Sequence, residues 1–219
     1  MKNQFPIVGI VGAGAMGRGI AQIAAQAGSR VLLLDMQPDA AASARGSIQA
    51  QWQRLQDKGR ISDEQAQGWG NLLEPVATIA DLASCDLVIE AIVERLDAKQ
   101  ALFAQLEAVV GPHAVLATNT SSLAVTAIGA TLRRPERLAG FHFFNPVPLM
   151  KVVEVIAGLK TAPAVCESLS HYARQMGHTP VQAQDTPGFI VHHAGRGLGT
   201  DALGIACECV PHYATIDRI

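Results

Sequence analysis

The sequence predicts an α/β fold: a parallel, doubly wound sheet with extra strands toward its C-terminal end, followed by the start of a helical element. Three observations carry this. Short β-branched runs alternate with segments whose apolar residues recur at helical spacing, the pattern of parallel strands joined by crossover helices. A glycine-rich turn joins the first such strand to the first such helix. The 219 residues are 49% hydrophobic and 16% charged, enough apolar material for a large buried core and too little charge for a disordered chain.

The elements follow in order. Ile7–Val11 is a strand apolar on both faces, and 19–26 is an Ala-rich helix stopped at Gly28. Val31–Leu34 is the second strand, ending at Asp35, and 38–56 is a long helix opening on Pro38-Asp39. A short helix at 62–67 precedes a short strand at 76–79 and a stronger one at 86–92. A helix over 97–109 ends at Gly111-Pro112, and strands follow at 114–118, 138–144 and 152–156. The spacing then predicts a helix over 163–176, a brief strand at 180–182, and continuous helical pattern after Thr186-Pro187-Gly188. The pattern divides the chain into a sheet-based unit, 1–184, and the truncated start of a helical unit, 185–219, which is too short to form a core unaided.

Composition narrows the function classes. Seventeen Lys+Arg against nineteen Asp+Glu leave a net charge of −2, so bulk electrostatics does not select nucleic acid or an anionic membrane as partner. No apolar run approaches the length of a membrane span. Cys85, Cys166, Cys207 and Cys209 form no CxxC pair, which indicates neither a disulfide framework nor a zinc site and fits reduced thiols in a cytoplasmic protein. His113, His171, His178 and His212 carry no motif and are expected at the surface or boundary.

Gly12-Ala13-Gly14-Ala15-Met16-Gly17 fits G-x-G-x-x-G in the context that motif requires, after a strand and opening a helix, with an acid, Asp35, eighteen residues past Gly17. The glycines make the tight turn, let a pyrophosphate approach the backbone, and seat the helix on the strand, while the helix N-terminus offers amides to the phosphates. Asp35 suits ribose hydroxyls and repels a 2′-phosphate, favouring NAD over NADP. A Rossmann-type dinucleotide domain is the expectation; a flavin site and a glycine turn without a ligand are its rivals.

Four further segments occur in order: Asn119-Thr120-Ser121-Ser122-Leu123; Gly140-Phe141-His142-Phe143-Phe144-Asn145-Pro146; Lys151-Val152-Val153-Glu154-Val155-Ile156; and Asp185-Thr186-Pro187-Gly188-Phe189-Ile190-Val191. Joined to the glycine motif, they closely resemble the L-3-hydroxyacyl-CoA dehydrogenases, and the stretch from Gly188 to Asp201 looks most like bacterial 3-hydroxybutyryl-CoA dehydrogenases of aromatic-acid breakdown. The resemblance implies reversible oxidation of the 3-hydroxyl of an acyl-CoA with NAD as hydride acceptor.

It implies His142 as base and Glu154, twelve residues on, as the carboxylate that orients it. Ser121 and Asn145 would line the meeting point of cofactor and substrate, Ser121 bonding the reacting oxygen. Glu94 and Lys99 would contact the cofactor; Glu90 is as readily a polar residue at a strand end. Arg54, Lys58 and Arg60 are candidates for the CoA phosphates, or a solvated face. One departure stands out: the family's substrate-binding Asn in GFIVN is His192 here. The family continues as a helical domain that closes the cleft and supplies most of a homodimer contact, so a truncated form is expected. A dehydrogenase of a free hydroxy or sugar acid, and an NAD-binding protein without turnover, are the alternatives.

Overall fold

The computed structural model describes residues 3–192 together with 194 and 195. Eight strands form one sheet: β1 (Ile7–Val11), β2 (Arg30–Leu34), β3 (Leu73–Val76), β4 (Leu87–Glu90), β5 (Val115–Thr118), β6 (Leu138–Phe143), β7 (Val152–Ala157) and β8 (Thr179–Gln184). They lie in the order β3-β2-β1-β4-β5-β6-β7-β8. The helices are α1 (Ala15–Gln26), α2 (Ala40–Asp57), α3 (Asp63–Asn71), α4 (Leu96–Val109), α5 (Val125–Gly129) and α6 (Pro163–Gln175). The doubly wound class and the extra C-terminal strands are both present.

Two apolar layers sandwich the sheet. Val8, Ile10, Leu33 and Ile89 face one layer with Ile20 of α1, Ile48 and Trp52 of α2, and Leu169 and Tyr172 of α6. Val11, Leu32, Leu34 and Val88 face the other with Leu102, Phe103 and Leu106 of α4 and Ile128 of α5. Strand residues alternate between the layers because their side chains alternate across the pleat, and each fully buried Leu, Ile or Phe contributes about 1.5–3 kcal/mol. Local chemistry agrees with the packing. At the start of α3, Ser62 accepts the Gln65 amide while the Gln65 side chain accepts that of Ser62, closing a capping box.

The structure corrects four expectations and adds one short helix. The third strand lies at Leu73–Val76 rather than 76–79. It is the edge strand beside β2, where Pro75 is tolerated, and the chain then enters a 3-10 turn capped by Thr78 and Asp81. Helix α1 begins at Ala15, directly on the glycine loop, rather than at residue 19. Pairing is parallel except that β6 and β7 run antiparallel, because the connection between them, 144–151, contains no crossover helix. Helix α5 has only five residues, too few for periodicity to reveal. His178 is buried rather than superficial, its ring nitrogens 3.1 Å and 3.0 Å from the carbonyls of Met176 and Val147.

Candidate active site

The motif residues gather where five parallel strands end. Gly12 follows β1, Asp35 follows β2, 91–94 follow β4, 119–122 follow β5, and His142 lies at the end of β6. In this class of sheet the crevice opens at the carboxyl edge, where chain order reverses between β1 and β4. The crevice is contiguous: Gly12 abuts the Ala91 carbonyl, and the Asn119 side chain accepts the Phe143 amide at 2.9 Å, tying the β5 end to the strand that carries His142.

The glycine loop fits a dinucleotide. Gly12 has φ +104° and no room for a side chain, since a Cβ would lie 2.4 Å from the Ala91 carbonyl oxygen. A Cβ on Gly17 would lie 1.7 Å from the Gly12 carbonyl oxygen, so helix and strand approach as closely as glycine allows. A Cβ on Gly14 meets nothing within 4 Å. That opening stands before the N-terminus of α1, whose first turn carries no acid and no side-chain cap, and the amides of Ala15 and Met16 belong to this turn. Asp35 is oriented at the same loop, accepting the Ala13 amide at 2.6 Å and the Gln37 amide at 2.8 Å. A bound pyrophosphate would meet Gly14, and a ribose would meet Asp35.

Beyond β4 an ionic network shapes the Ser121 loop. Lys99, only 1% exposed, donates to Glu90 at 2.5 Å and lies 3.3 Å from Glu94. Glu90 accepts the Thr118 hydroxyl at 2.7 Å. One oxygen of Glu94 accepts the Thr120 hydroxyl at 2.5 Å, the Ser121 amide at 3.0 Å and the Ser122 amide at 3.1 Å. Burial pushes the Glu94 carboxyl up, but the Thr120 hydroxyl, the Lys99 charge and the Ser121 amide outweigh it and hold the group at about 2. Lys99 is thus buried with its ammonium engaged by both Glu90 and Glu94. Thr120, Asn119 and Glu90 carry more of the site's architecture than the sequence disclosed, although the first two sit inside the motif that flagged Ser121.

At the β6–β7 pair, His142 lies directly opposite Glu154 in register, and both are buried. The His142 Nδ1–H donates to Oε2 of Glu154 at 2.7 Å, since a carboxylate only accepts. The neutral ring then carries its lone pair on Nε2. Burial holds His142 below its usual range, Glu154 pulls it back up, and His192 adds to the lowering. The other Glu154 oxygen accepts the amides of Ile190 at 2.9 Å and Val191 at 3.0 Å. The turn before them, with Gly188 at φ +82° and Phe189 at φ +48°, brings His192 beside His142, the ring centroids 5.5 Å apart.

Asn145 is exposed at the head of the cis Asn145–Pro146 bond, in a loop that returns over α1 so that Val147 fills the space a Cβ on Gly19 would need. Asp185, which no motif singled out as functional, accepts the Val125 and Thr126 amides at 2.7 Å each and anchors the end of the sheet unit to α5. Arg54, Lys58 and Arg60 are exposed at and just beyond the end of α2. Cys85 and Cys166 are buried free thiols; burial pushes Cys85 up to about 12. Cys207, Cys209, His212 and most of the predicted 185–219 unit lie outside the described residues.

The chain matches the family described as "3-hydroxyacyl-CoA dehydrogenase, NAD binding domain" over residues 7–186. It is 46% identical over 217 residues to the 3-hydroxyadipyl-CoA dehydrogenase of Escherichia coli K12, covering 99% of this chain and 46% of that one. It is 38% identical to the probable 3-hydroxybutyryl-CoA dehydrogenase of Deinococcus radiodurans, covering 96% of this chain and 76% of that one. A crystal structure of 3-hydroxybutyryl-CoA dehydrogenase from Escherichia coli K12 superposes with a TM-score of 0.92 at 44% identity, over 94% of this chain and 44% of that one. The chain thus spans from under half to about three quarters of the length of these relatives.

Proposed function

The chain belongs to the 3-hydroxyacyl-CoA dehydrogenases and carries their NAD-binding domain, and from that premise we propose that it catalyses the reversible oxidation of an L-3-hydroxyacyl-CoA to the 3-ketoacyl-CoA. The observation that carries this reading is the buried His142–Glu154 pair, at the edge of the sheet that also holds the open glycine cradle. NAD, when bound, supplies the hydride acceptor.

The chain's own residues meet the remaining demands. An alcohol gives up hydride readily only as its proton leaves, so a base must reach the hydroxyl oxygen. His142 offers Nε2, because Nδ1–H is committed to Glu154. As the ring takes the proton it gains a positive charge that the Glu154 carboxylate offsets. The C3–H electrons go to the acceptor, the O–H electrons form the ketone, and the proton rests on Nε2. Ser121, on the loop held by Glu94, donates to the substrate oxygen in this reading, and Asn145 and His192 line the cleft. Lys99 acts by holding Glu94 in place. The Arg54, Lys58 and Arg60 cations offer an exposed patch to CoA phosphates.

The same proposal includes the domain plan, with 1–184 as the cofactor unit and 185–219 as the start of a helical substrate and dimerisation unit. It extends to a cytoplasmic homodimer of the full-length protein, working in fatty-acid or aromatic-acid degradation. The test is NADH oxidation driven by acetoacetyl-CoA, with free CoA as competitor. Turnover inhibited by free CoA is the expected result. Turnover of a free 3-keto acid indifferent to CoA would move the chain to the hydroxy-acid dehydrogenases, and NADH binding with no turnover would make it a binding protein.

A further inference from the structure

We propose that His192 is a positioning residue for the base: a second imidazole set against His142 that keeps the His142 ring in its proton-free form. The inference rests on the assignment of His142 as base.

The geometry is built. The His142 and His192 ring centroids are 5.5 Å apart with ring planes inclined by 30°. One carboxylate sets that separation: Glu154 is fully buried, holding His142 on Oε2 and the Ile190 and Val191 amides on Oε1. His192 follows those amides and donates its own amide to the Gly188 carbonyl at 3.2 Å. The backbone that carries His192 is thus tied to the same buried carboxylate that orients His142.

Among the described residues, the charged groups that act on His142 come from three segments. Glu154 from β7 and Glu94 from the segment after β4 favour the imidazolium; His192, from the segment after β8, opposes it. The rings of Phe144 and Phe189, 4.6 Å and 5.7 Å away, complete the surroundings. His142 is the titratable ring that packs on His192 among the described ring contacts. His142 is 4% exposed and His192 stands at the surface beside it, so a positive charge on His192 at this distance disfavours a second one on the buried His142 ring. The neutral amide of asparagine has no such effect. His192 therefore extends the working range of the base toward lower pH.

The test is a pH titration of the histidine ring Cε1–H signals by NMR on the whole chain, with His142→Gln used to assign the His142 signal. In His192→Asn the His142 midpoint moves to higher pH, and in His192→Gln it does the same, while the signal of exposed His113 stays put. An unchanged or lowered His142 midpoint in both variants overturns the proposal. No substrate enters this titration, so its outcome is separable from that of the turnover assay, which alone decides the dehydrogenase reading. With turnover, the acid limb of the kcat/KM profile also moves to higher pH in His192→Asn; a limb left in place counts against the proposal.

Discussion

The two ends of the crevice are made of different materials. At β1 the crevice is lined by backbone: Gly12 and Gly17 have no room for a side chain, Gly14 is open, and Asp35 accepts the Ala13 amide of the same loop. At β6 and β7 it is built of side chains, His142, Glu154 and His192, drawn from three chain segments, with the buried Glu154 carboxylate holding both the His142 ring and the backbone that leads to His192. The difference teaches where each end is vulnerable. The glycine end fails sterically and takes the fold with it at Gly17. The histidine end rests on few bonds, so in the proposed reaction it would lose reactivity before it loses structure.

The sharpest break is Gly17→Ala. Its new methyl would collide with a backbone oxygen at 1.7 Å that cannot retreat without moving β1 or α1. Urea unfolding is expected to show a loss on the order of 4 kcal/mol or more. Next comes Lys99→Met, which leaves Glu90 buried without its cation; about 3–5 kcal/mol is expected, partly recovered when Glu90→Gln is added.

Acid gives a smaller effect. Glu94 sits at about 2 in the folded chain against an ordinary 4.5, so the folded state binds its proton less readily than the unfolded state. Its stabilisation is fully present above 4.5 and disappears as pH falls toward 2, and Glu94→Gln should flatten that part of the urea-midpoint profile. His142 is also held below its ordinary 6.5, so its contribution is present above that value and fades as pH drops beneath it. The smallest effect on the fold belongs to Gly14→Ala, whose methyl meets no neighbour. The melting temperature should hold while NADH affinity, read by fluorescence, falls. Retained affinity would remove Gly14 from the cofactor site.

The same contrast explains what could be read from sequence. Steric necessity leaves a local trace, so the glycine loop, β1, β2 and Asp35 were legible as a motif within one βαβ unit. The pairing of His142 with Glu154 was legible only through resemblance, because their contact depends on the antiparallel turn of β7, which the alternating pattern had suggested would be parallel. The burial of Lys99 leaves no local trace in the sequence, because a lone lysine near a helix start carries no sign of its partners. Its burial comes from Glu90 and Glu94 reaching it from another element. The clamp of Glu154 on the Ile190 and Val191 amides left no trace at all, since backbone donors have no residue type.

A basic role for His142 is tested most directly by turnover of His142→Gln, measured with saturating NADH and acetoacetyl-CoA in the same sample used to titrate NADH. It predicts NADH affinity equal to the wild type and a rate lower by about 10²–10⁴-fold, the usual worth of a positioned base. A rate equal to that of the wild type would contradict it.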